Sequence, residues 1–441
     1  MFAKIKELLL LNFVFPLAEK VMGTNATFWY REIKKMNNYS PNEIIQWQNN
    51  RLQKFIIHVY ENTVYYRNLF DKLGIKPENI KTVEDLKKIP PIDKNIIRDY
   101  HDEIIPKNIK QISHRKGETG GTTGMPLKYF YDEDTWGYIT AAKIYAWKTT
   151  GFKYGNRFVT IGSSSLFPTN KKSWKHIFYH ALRNGIPLNG MNMSDEVCKE
   201  YVDILIKKRI QYIYGYAASI FLLTKYVQKQ GVSLPLIKGI FTTSEILTPQ
   251  YRKEMTNVFN CSVMDCYGAR DAGITAYEVE NGIYHVGYNA ISEMELIYDD
   301  GTGTLLVTNI LNYSFPLIRY RVGDDVCLKS ENKESNYNGQ TITKVVGRTS
   351  DVMIFDNGHK LTATGFSVMI RKFNVEAFRM TKISGLSLLV EIQKNISYTD
   401  SENELLIQTL KKHIGTEVEL ELKPVSAFEP LQNGKRQFFI T

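Results

Sequence analysis

Between Ile45 and Tyr60 the apolar residues Ile45, Trp47, Leu52, Phe55, Ile56 and Tyr60 recur at helical spacing, and the pattern predicts one long helix over 44–72. Thr82 is placed to cap a short helix that ends near Ile89, with Pro90 and Pro91 behind it, and Asp93 to cap another. Past a glycine-rich stretch the period alternates. Residues 132–149 read as helix, 157–161 as strand, 194–208 as helix, 209–214 as strand and 217–230 as helix. The alternation continues with strand over 237–243, helix over 248–259 and strand over 262–266. Strands alternating with helices of this length predict βαβ units and a largely parallel sheet. Residues 282–308 then alternate around Asp299–Asp300–Gly301–Thr302–Gly303, an antiparallel hairpin signal. From about Thr341 the pattern changes again, with strand over 385–393, helix over 400–414 and strand over 417–423. The polar, charged run 329–340 is the loop expected ahead of that change.

A chain of 441 residues exceeds what one hydrophobic core serves. The expected fold class is α/β: a lead segment over 1–43, a large N-terminal domain over 44–345 with mixed or parallel sheets and helices, and a small mobile α+β domain over 346–441. The lead segment carries Leu8, Leu9, Leu10, Leu11, Phe13, Val14, Phe15 and Leu17 between Lys4, Lys6 and Lys20. That run is too short to span a bilayer, Pro16 interrupts it, and no small-residue cleavage site follows. Two readings stay open, a helix packed on the protein's own core and a basic, apolar segment lying on the inner membrane surface.

The net charge of +10 favours anionic ligands, but it is spread along the chain and no zinc-finger or RNA-recognition signature accompanies it, so nucleic acid is not an expected partner. The four cysteines form no C-x-x-C pair, which points to free thiols and a cytoplasmic location. His176 and His180 lack the Glu of the zinc-protease motif and read as packing or surface residues. A homodimer is left open.

The chemistry starts from KGETGGTTGMPLK, residues 116–128. Thr119, Gly120, Gly121, Thr122, Thr123 and Gly124 combine a permissive backbone with hydroxyls, the makings of a concavity of N–H groups for phosphate oxygens. No Lys-Ser or Lys-Thr follows Gly124, so this is not the common triphosphate loop. Neither is it G-x-G-x-x-G. Further on, DCYGARD follows a predicted strand, where open α/β sheets bind ligands. Tyr267 offers a flat face for a base and Asp271 a hard oxygen for Mg²⁺. In PLIRYRVGD, Asp324 is suited to accept from ribose hydroxyls. GRTSD holds Arg348, and QNGKR places Lys435 after an Asn-Gly turn. Each stretch alone is compatible with an ordinary turn or strand end.

Taken together and in this order, the segments resemble the adenylate-forming superfamily of acyl-CoA synthetases and peptide-synthetase adenylation domains. Within it the chain is most similar to the phenylacetate–CoA ligase branch and its capsular-polysaccharide relatives of the CapK type. TGGTTGMPL resembles the phosphate loop, and TTSEIL, with Ser244 and Glu245, the segment lining the adenine pocket. DCYGARD, with Asp265, Tyr267 and Gly268, resembles the Tyr-Gly-x-x-Glu segment, and PLIRYRVGD the Arg-Tyr-Arg-x-Gly-Asp segment. GRTSDVMIFDNG resembles the opening of a mobile C-terminal domain, and NGKRQFF the terminal Gly-Lys loop. The lead-in NTVYYRNLFDKLGI with DLKKIPPIDKN is also similar to the phenylacetate branch.

The resemblance implies ATP-dependent activation of a small carboxylic acid as its acyl-adenylate. Transfer to a thiol, on CoA or a carrier, or to an amine follows, with a setting in surface-polysaccharide synthesis. It implies that Thr119–Gly124 hold the β- and γ-phosphates, Asp271 the Mg²⁺, Tyr267 the adenine and Asp324 the ribose. Arg348 would contact ribose or phosphate, and Lys435 would bring a cation between the carboxylate and the α-phosphate. A hinge is implied near Lys344–Arg348, with the loop around Gly358 approaching for the second step. Two departures stand out: Met125 replaces a common lysine, and Asp271 the usual glutamate. The alternatives are an adenylyltransferase acting on a cofactor or glycan, and a non-catalytic glycan-assembly protein that retains the fold.

Overall fold

The computed structural model describes residues 9–118, 127–163, 183–191, 193–280, 282–295, 301–330, 336–346, 352–362, 373–426 and 439–440, with residues 7, 166, 297, 366, 369 and 370 besides. The chain opens with a π-helical turn, Leu10–Val14, leading into α1 (Phe15–Met22) and α2 (Ala26–Met36). Helix α3 (Pro41–Asn62) starts where Ser40 and Glu43 cap each other's backbone N–H groups and Pro41 fills a position with no hydrogen bond to lose. α4 (Val64–Leu73) follows at once. The single helix expected over 44–72 is therefore two. Thr63 takes an extended backbone (φ −113°, ψ 140°) and its hydroxyl donates to the Val59 carbonyl at 2.7 Å, offering the chain an alternative to the next helical turn. The apolar spacing hid the break because Leu52, Phe55, Ile56 and Val59 on one side, and Tyr66 and Phe70 on the other, bury into the same core.

Thr82 and Asp85 cap a 3₁₀ turn, Val83–Lys88, and Asp93 accepts from the backbone of Asn95 and Ile96 to start α5 (Lys94–Asp99), before α6 (His101–Ile104). Strands β1 (His114–Glu118) and β2 (Lys128–Asp132) pair antiparallel, Glu118 opposite Lys128. Asp132 then caps α7 (Glu133–Trp147), accepting from Thr135 N at 3.0 Å and from Tyr313 N at 2.7 Å.

The alternating region gives β3 (Phe158–Gly162), β4 (Gly185–Asn189), α8 (Asp195–Lys207), β5 (Tyr212–Tyr216), α9 (Ala217–Gln230), β6 (Gly239–Thr243), α10 (Pro249–Phe259) and β7 (Ser262–Ala269). The strand expected at 209–214 begins later. Arg209 sits at φ 50°, in the left-handed turn that ends α8, so the chain is free to extend only beyond it. Strands β8 (Ile274–Glu280), β9 (Ile283–Val286), β10 (Ala290–Glu295), β11 (Gly303–Asn309), β12 (Tyr320–Lys329) and β13 (Thr341–Val346) follow.

All the strands from β3 to β13 belong to one sheet of eleven, in the order β10-β11-β12-β13-β9-β8-β7-β6-β5-β3-β4. The β4-β3-β5-β6-β7 end is parallel and the rest antiparallel. The run from Thr341 thus stays within the large sheet as β13, against the change of pattern expected there, because Thr341 and Ile342 pair with His285 and Tyr284 of β9. Helices α8, α9 and α10 cover one side of the parallel strands through Leu205, Ile220, Leu223 and Met255. Helix α7 covers the other with Tyr138, Ala141, Ile144 and Trp147. α3 and α4 pack on the antiparallel end.

After a short hairpin, β14 (Val352–Ile354) with β15 (Lys360–Thr362), come β16 (Val375–Ser384), β17 (Ser387–Lys394), α11 (Asp400–Ile414), β18 (Glu419–Pro424) and β19 (Phe439–Ile440). They form a four-stranded sheet, β18-β17-β16-β19, around a separate core that includes Met380, Val390, Leu406 and Leu410. The architecture is a large mixed sheet with helices followed by a small α+β sheet.

Candidate functional site

Two stretches far apart in sequence meet at the end of β7 and the start of β12. The Tyr267 hydroxyl donates to the Asp324 carboxylate at 3.0 Å, and the Tyr320 hydroxyl donates to the Asp271 carboxylate at 2.7 Å. Each stretch supplies one tyrosine and one aspartate to the other, a reciprocal clasp. Burial, reinforced by the facing carboxylate, pushes both phenols far above their ordinary range, so both stay protonated donors. Each takes only part of its carboxylate's acceptor capacity. The backbone supports the approach: Gly323 lies at φ 92°, and a Cβ on Gly268 would come within 3.1 Å of the Ile274 carbonyl. Next door, Arg319 is held at φ 49° by an ion pair with Glu293 and a bond to the Ile89 carbonyl, while Arg321 pairs with Glu295. These arginines brace β12 rather than face a ligand.

At the end of β6, Ser244 sits at φ 69°, a costly conformation for a serine. Glu245, which follows it, accepts from the Ala218 N–H at 2.7 Å at the start of α9, where a carboxylate is favoured by the helix dipole. The turn expected to line the adenine pocket is thus locked in shape by its own acid. Asp265 is also engaged by the fold. It is buried, accepts from the hydroxyls of Thr242 at 2.5 Å and Tyr284 at 2.9 Å, and its N–H donates to Glu278. Burial chiefly, with the charge of Glu278 besides, raises its carboxyl against the two hydroxyl bonds, which pull it down.

Sequence reasoning missed Lys143. It stands in α7 with its ammonium 4.8 Å from the centre of the Tyr214 ring and 5.5 Å from that of Trp147, which itself stacks on Phe241 at 4.4 Å. The charged groups it feels among the described residues are Arg183 and Arg270, with the Cys266 thiol; no carboxylate is among them. Burial chiefly, and the two guanidiniums besides, bring the Lys143 ammonium down to about 7. The signal in the sequence is a lone lysine inside YITAAKIYAW, an otherwise uncharged run. The unfolded chain keeps this proton up to the ordinary 10.5 of lysine, and the folded chain releases it near 7. The unfolded state therefore binds more protons between those limits, and stability gained through this group rises with pH across that window. Cys266 and Tyr214 do not titrate there, because burial raises both. Lys143→Met is expected to melt higher than the parent at pH 7, with the gap closing as pH approaches 10. A gap of equal size at pH 7 and pH 9.5, by calorimetry, would refute the assignment.

Thr119, Gly120, Gly121, Thr122, Thr123 and Gly124 lie outside the described residues, as do Arg348 and Lys435. The β1–β2 hairpin brackets the first group, since Glu118 and Lys128 are paired neighbours. Among the described residues no group of three His, Cys, Asp or Glu side chains is arranged to hold a metal. Asp271, a single buried carboxylate already accepting from Tyr320, fits a Mg²⁺ that arrives on nucleotide phosphates, not a resident ion caged by protein. Cys198 and Cys266 are buried free thiols, and Cys261 and Cys327 are half-buried free thiols.

No protein-family model matches the chain. It is 24% identical over 420 residues to protein CapK of Staphylococcus aureus, covering 93% of this chain and 92% of CapK. It is 24% identical over 411 residues to the phenylacetate-coenzyme A ligase of Pseudomonas putida, covering 86% of this chain and 89% of the ligase. Among solved structures, 2-hydroxyisobutyryl-CoA ligase in complex with 2-HIB-AMP and CoA superposes with a TM-score of 0.60 at 16% identity, over 90% of each chain. The chain is therefore a homologue of CapK and the phenylacetate–CoA ligases, built on the fold of the adenylate-forming ligases.

Proposed function

We propose that the protein is an adenylate-forming ligase. It uses ATP to convert a carboxylic acid to its acyl-adenylate, with release of pyrophosphate, and then passes the acyl group to a thiol, that of CoA or a carrier, with release of AMP. The clasp between Tyr267–Asp271 and Tyr320–Asp324 carries this reading. It brings together, at the ends of sheet strands, the residues that the resemblance assigns to adenine, ribose and metal, from two stretches with no other reason to share that chemistry. Asp324 is held by Tyr267 in one orientation, ready to accept from ribose hydroxyls, and the half-buried Tyr267 ring lies beside it. The strained turn at Ser244 and Glu245 shapes the neighbouring wall. Mg²⁺ held by Asp271 and the nucleotide would neutralise phosphate charge. The resemblance draws the acid pocket from the segments around Tyr214–Ser219 and Thr242–Glu245, with the aromatic Tyr214, Tyr216 and Phe241 near it and Lys143 of α7 beside Tyr214. The product feeds surface-polysaccharide assembly, as the CapK-type resemblance implies.

ATP–pyrophosphate exchange with Mg²⁺ and a library of aromatic and aliphatic acids tests the reading, followed by addition of CoA and mass analysis of the product. Exchange that depends on an acid, free AMP after CoA addition, and a KM for ATP raised about 10- to 100-fold in Asp324→Ala are the expected results, that being the worth of a hydrogen bond to a charged group. AMP retained on a product other than the acyl-adenylate, a cofactor or glycan, would instead establish an adenylyltransferase. Silence across the library from folded protein would refute the ligase.

A further inference from the structure

The N-terminal helices carry a feature that nucleotide chemistry does not use. An ordinary surface helix is apolar towards the core and polar outside. Here Leu10, Leu11, Phe15, Ala18 and Met22 pack on the core beneath α7, as such a helix requires. The opposite side is apolar as well: Leu9, Phe13, Leu17 and Val21, each one turn from the next, are 52%, 68%, 69% and 53% exposed. Single exposed apolar residues are common, but a continuous stripe marks an interaction surface. Charge is arranged around it. The Arg31 guanidinium of α2 donates to the Leu11 carbonyl at 2.9 Å and the Asn12 side chain at 3.1 Å, beside Phe13. A groove of about 450 Å³ opens there, lined by Leu11, Asn12, Tyr30, Arg31, Lys34 and Lys35. Lys20 is exposed on α1 itself. Glu19, the acid of α1, is turned away: it is 2% exposed, accepts from the Thr27 N–H at 2.9 Å and hydroxyl at 2.6 Å, and burial raises its carboxyl. The outer face of α1 is therefore apolar with Lys20 and no exposed carboxylate; the nearby acids are Glu32 of α2, which faces Lys35, and Glu7, near Tyr30, leaving the cations in excess.

We propose that α1 and α2 form a docking surface for an anionic phospholipid bilayer, with Leu9, Phe13, Leu17 and Val21 entering the acyl boundary and Arg31, Lys34 and Lys35 meeting headgroup phosphates. No helix among the described residues is long and apolar enough to cross a membrane, so the contact lies in the interfacial plane. A second copy of this chain is a poorer occupant. A two-fold contact would set the same three cations of each copy near one another, with Glu19 buried and Glu32 of α2 the one acid of the two helices near them, already beside Lys35.

The full-length protein, sedimented with vesicles of phosphatidylcholine alone or with 30% phosphatidylglycerol, tests this. Binding is expected to the anionic vesicles and not to the neutral ones, weakening as salt is raised. Phe13→Ser with Leu17→Ser is expected to abolish it. Arg31→Gln with Lys34→Gln and Lys35→Gln should weaken it about a hundredfold, at roughly fivefold per cation. The first variant alters exposed side chains only, and melting temperatures equal to the parent's show that both are folded. Equal binding to both vesicles overturns the proposal, as does binding unchanged in either variant or no binding at all. A concentration-dependent dimer lost in the Phe13→Ser, Leu17→Ser protein, without vesicle binding, assigns the stripe to self-association and overturns it too.

Discussion

Lys435→Ala is expected to slow acyl-adenylate formation about 100- to 1,000-fold, the loss seen when one preorganised charge-stabilising group is removed. In the proposed reaction a carboxylate oxygen attacks the α-phosphate, and negative charge gathers on both as they approach. A compact ammonium between them lowers that barrier, and lysine's point charge on a flexible stem is suited to arriving and leaving. Lys435 lies outside the described residues, four positions in sequence before Phe439 and Ile440 of β19, which pair parallel with Met380 and Thr381 of β16. The resemblance implies that it reaches the nucleotide with the small domain for the first half-reaction and leaves for the second. The two half-reactions should separate accordingly. ATP–pyrophosphate exchange falls in Lys435→Ala, while thioester formation from supplied acyl-adenylate falls by less than about tenfold, a smaller effect than any direct charge contact gives. Lys435→Arg should not restore exchange, because a planar guanidinium cannot occupy the same point. Exchange within twofold of the parent in Lys435→Ala would remove the residue from the mechanism.

The parts of this protein that were legible in its sequence are those whose causes are local. α9 was expected over 217–230 and runs Ala217–Gln230, since Gly231 at φ 60° stops it. α10 begins where Thr248 accepts from the Tyr251 N–H and Pro249 opens the helix. The βαβ alternation pointed to β3, β5, β6 and β7 for the same reason, while β4 (Gly185–Asn189) at the edge of the sheet was not expected. What depends on distant partners was hidden. The hairpin seen around Gly301 and the strand at Thr341 were not recognisable as extensions of the parallel sheet, because β9 and β13 are joined only by pairing across some fifty residues of intervening chain. β16, a strand of ten residues, was missed altogether. The site divides in the same way. Tyr267, Asp271 and Asp324 were found as residue types suited to a nucleotide, but their exchange of hydrogen bonds, with Tyr320 as the fourth member, needs the fold. Asp265 and Glu245 lie in segments that the resemblance assigns to the nucleotide, and the fold engages their carboxylates with Thr242, Tyr284 and the start of α9. Lys143 escaped because its partners, Tyr214 and Trp147, make no pattern along the chain.

Glu278→Ala should destabilise the protein by about 3–5 kcal/mol, the cost of removing one member of a buried ion pair. Glu278 is 2% exposed, and both its oxygens accept from Arg252 Nη2, at 2.8 and 2.7 Å. The same carboxylate receives the Asp265 N–H at 2.9 Å and the Gly282 N–H at 2.7 Å. Its loss leaves the buried Asp265 N–H without its acceptor and the part-buried Arg252 guanidinium without its counter-charge, while the exposed Gly282 N–H can turn to water. Arg252 also donates to the Val263 carbonyl, so α10, β7 and β8 are joined at one point. Replacing both partners with apolar residues of similar length, Arg252→Met with Glu278→Leu, removes the uncompensated charge and should recover a large part of the loss. Urea unfolding of the full chain, followed by tryptophan fluorescence and by far-UV circular dichroism, measures both variants. A double variant no more stable than Glu278→Ala would show that the backbone donors, and not the stranded arginine, set the cost. The network also reaches the proposed ligand site. Asp265 is next but one to Tyr267 on β7, so a strand that shifts when its Asp265 N–H loses Glu278 carries Tyr267 away from Asp324. Glu278→Gln keeps the shape and one acceptor oxygen, which can still serve the buried Asp265 N–H, while removing the charge and giving up the bond to the Gly282 N–H. It should hold the KM for ATP near the parent value even as it lowers stability, whereas Glu278→Ala should raise that KM at temperatures where the protein is still folded.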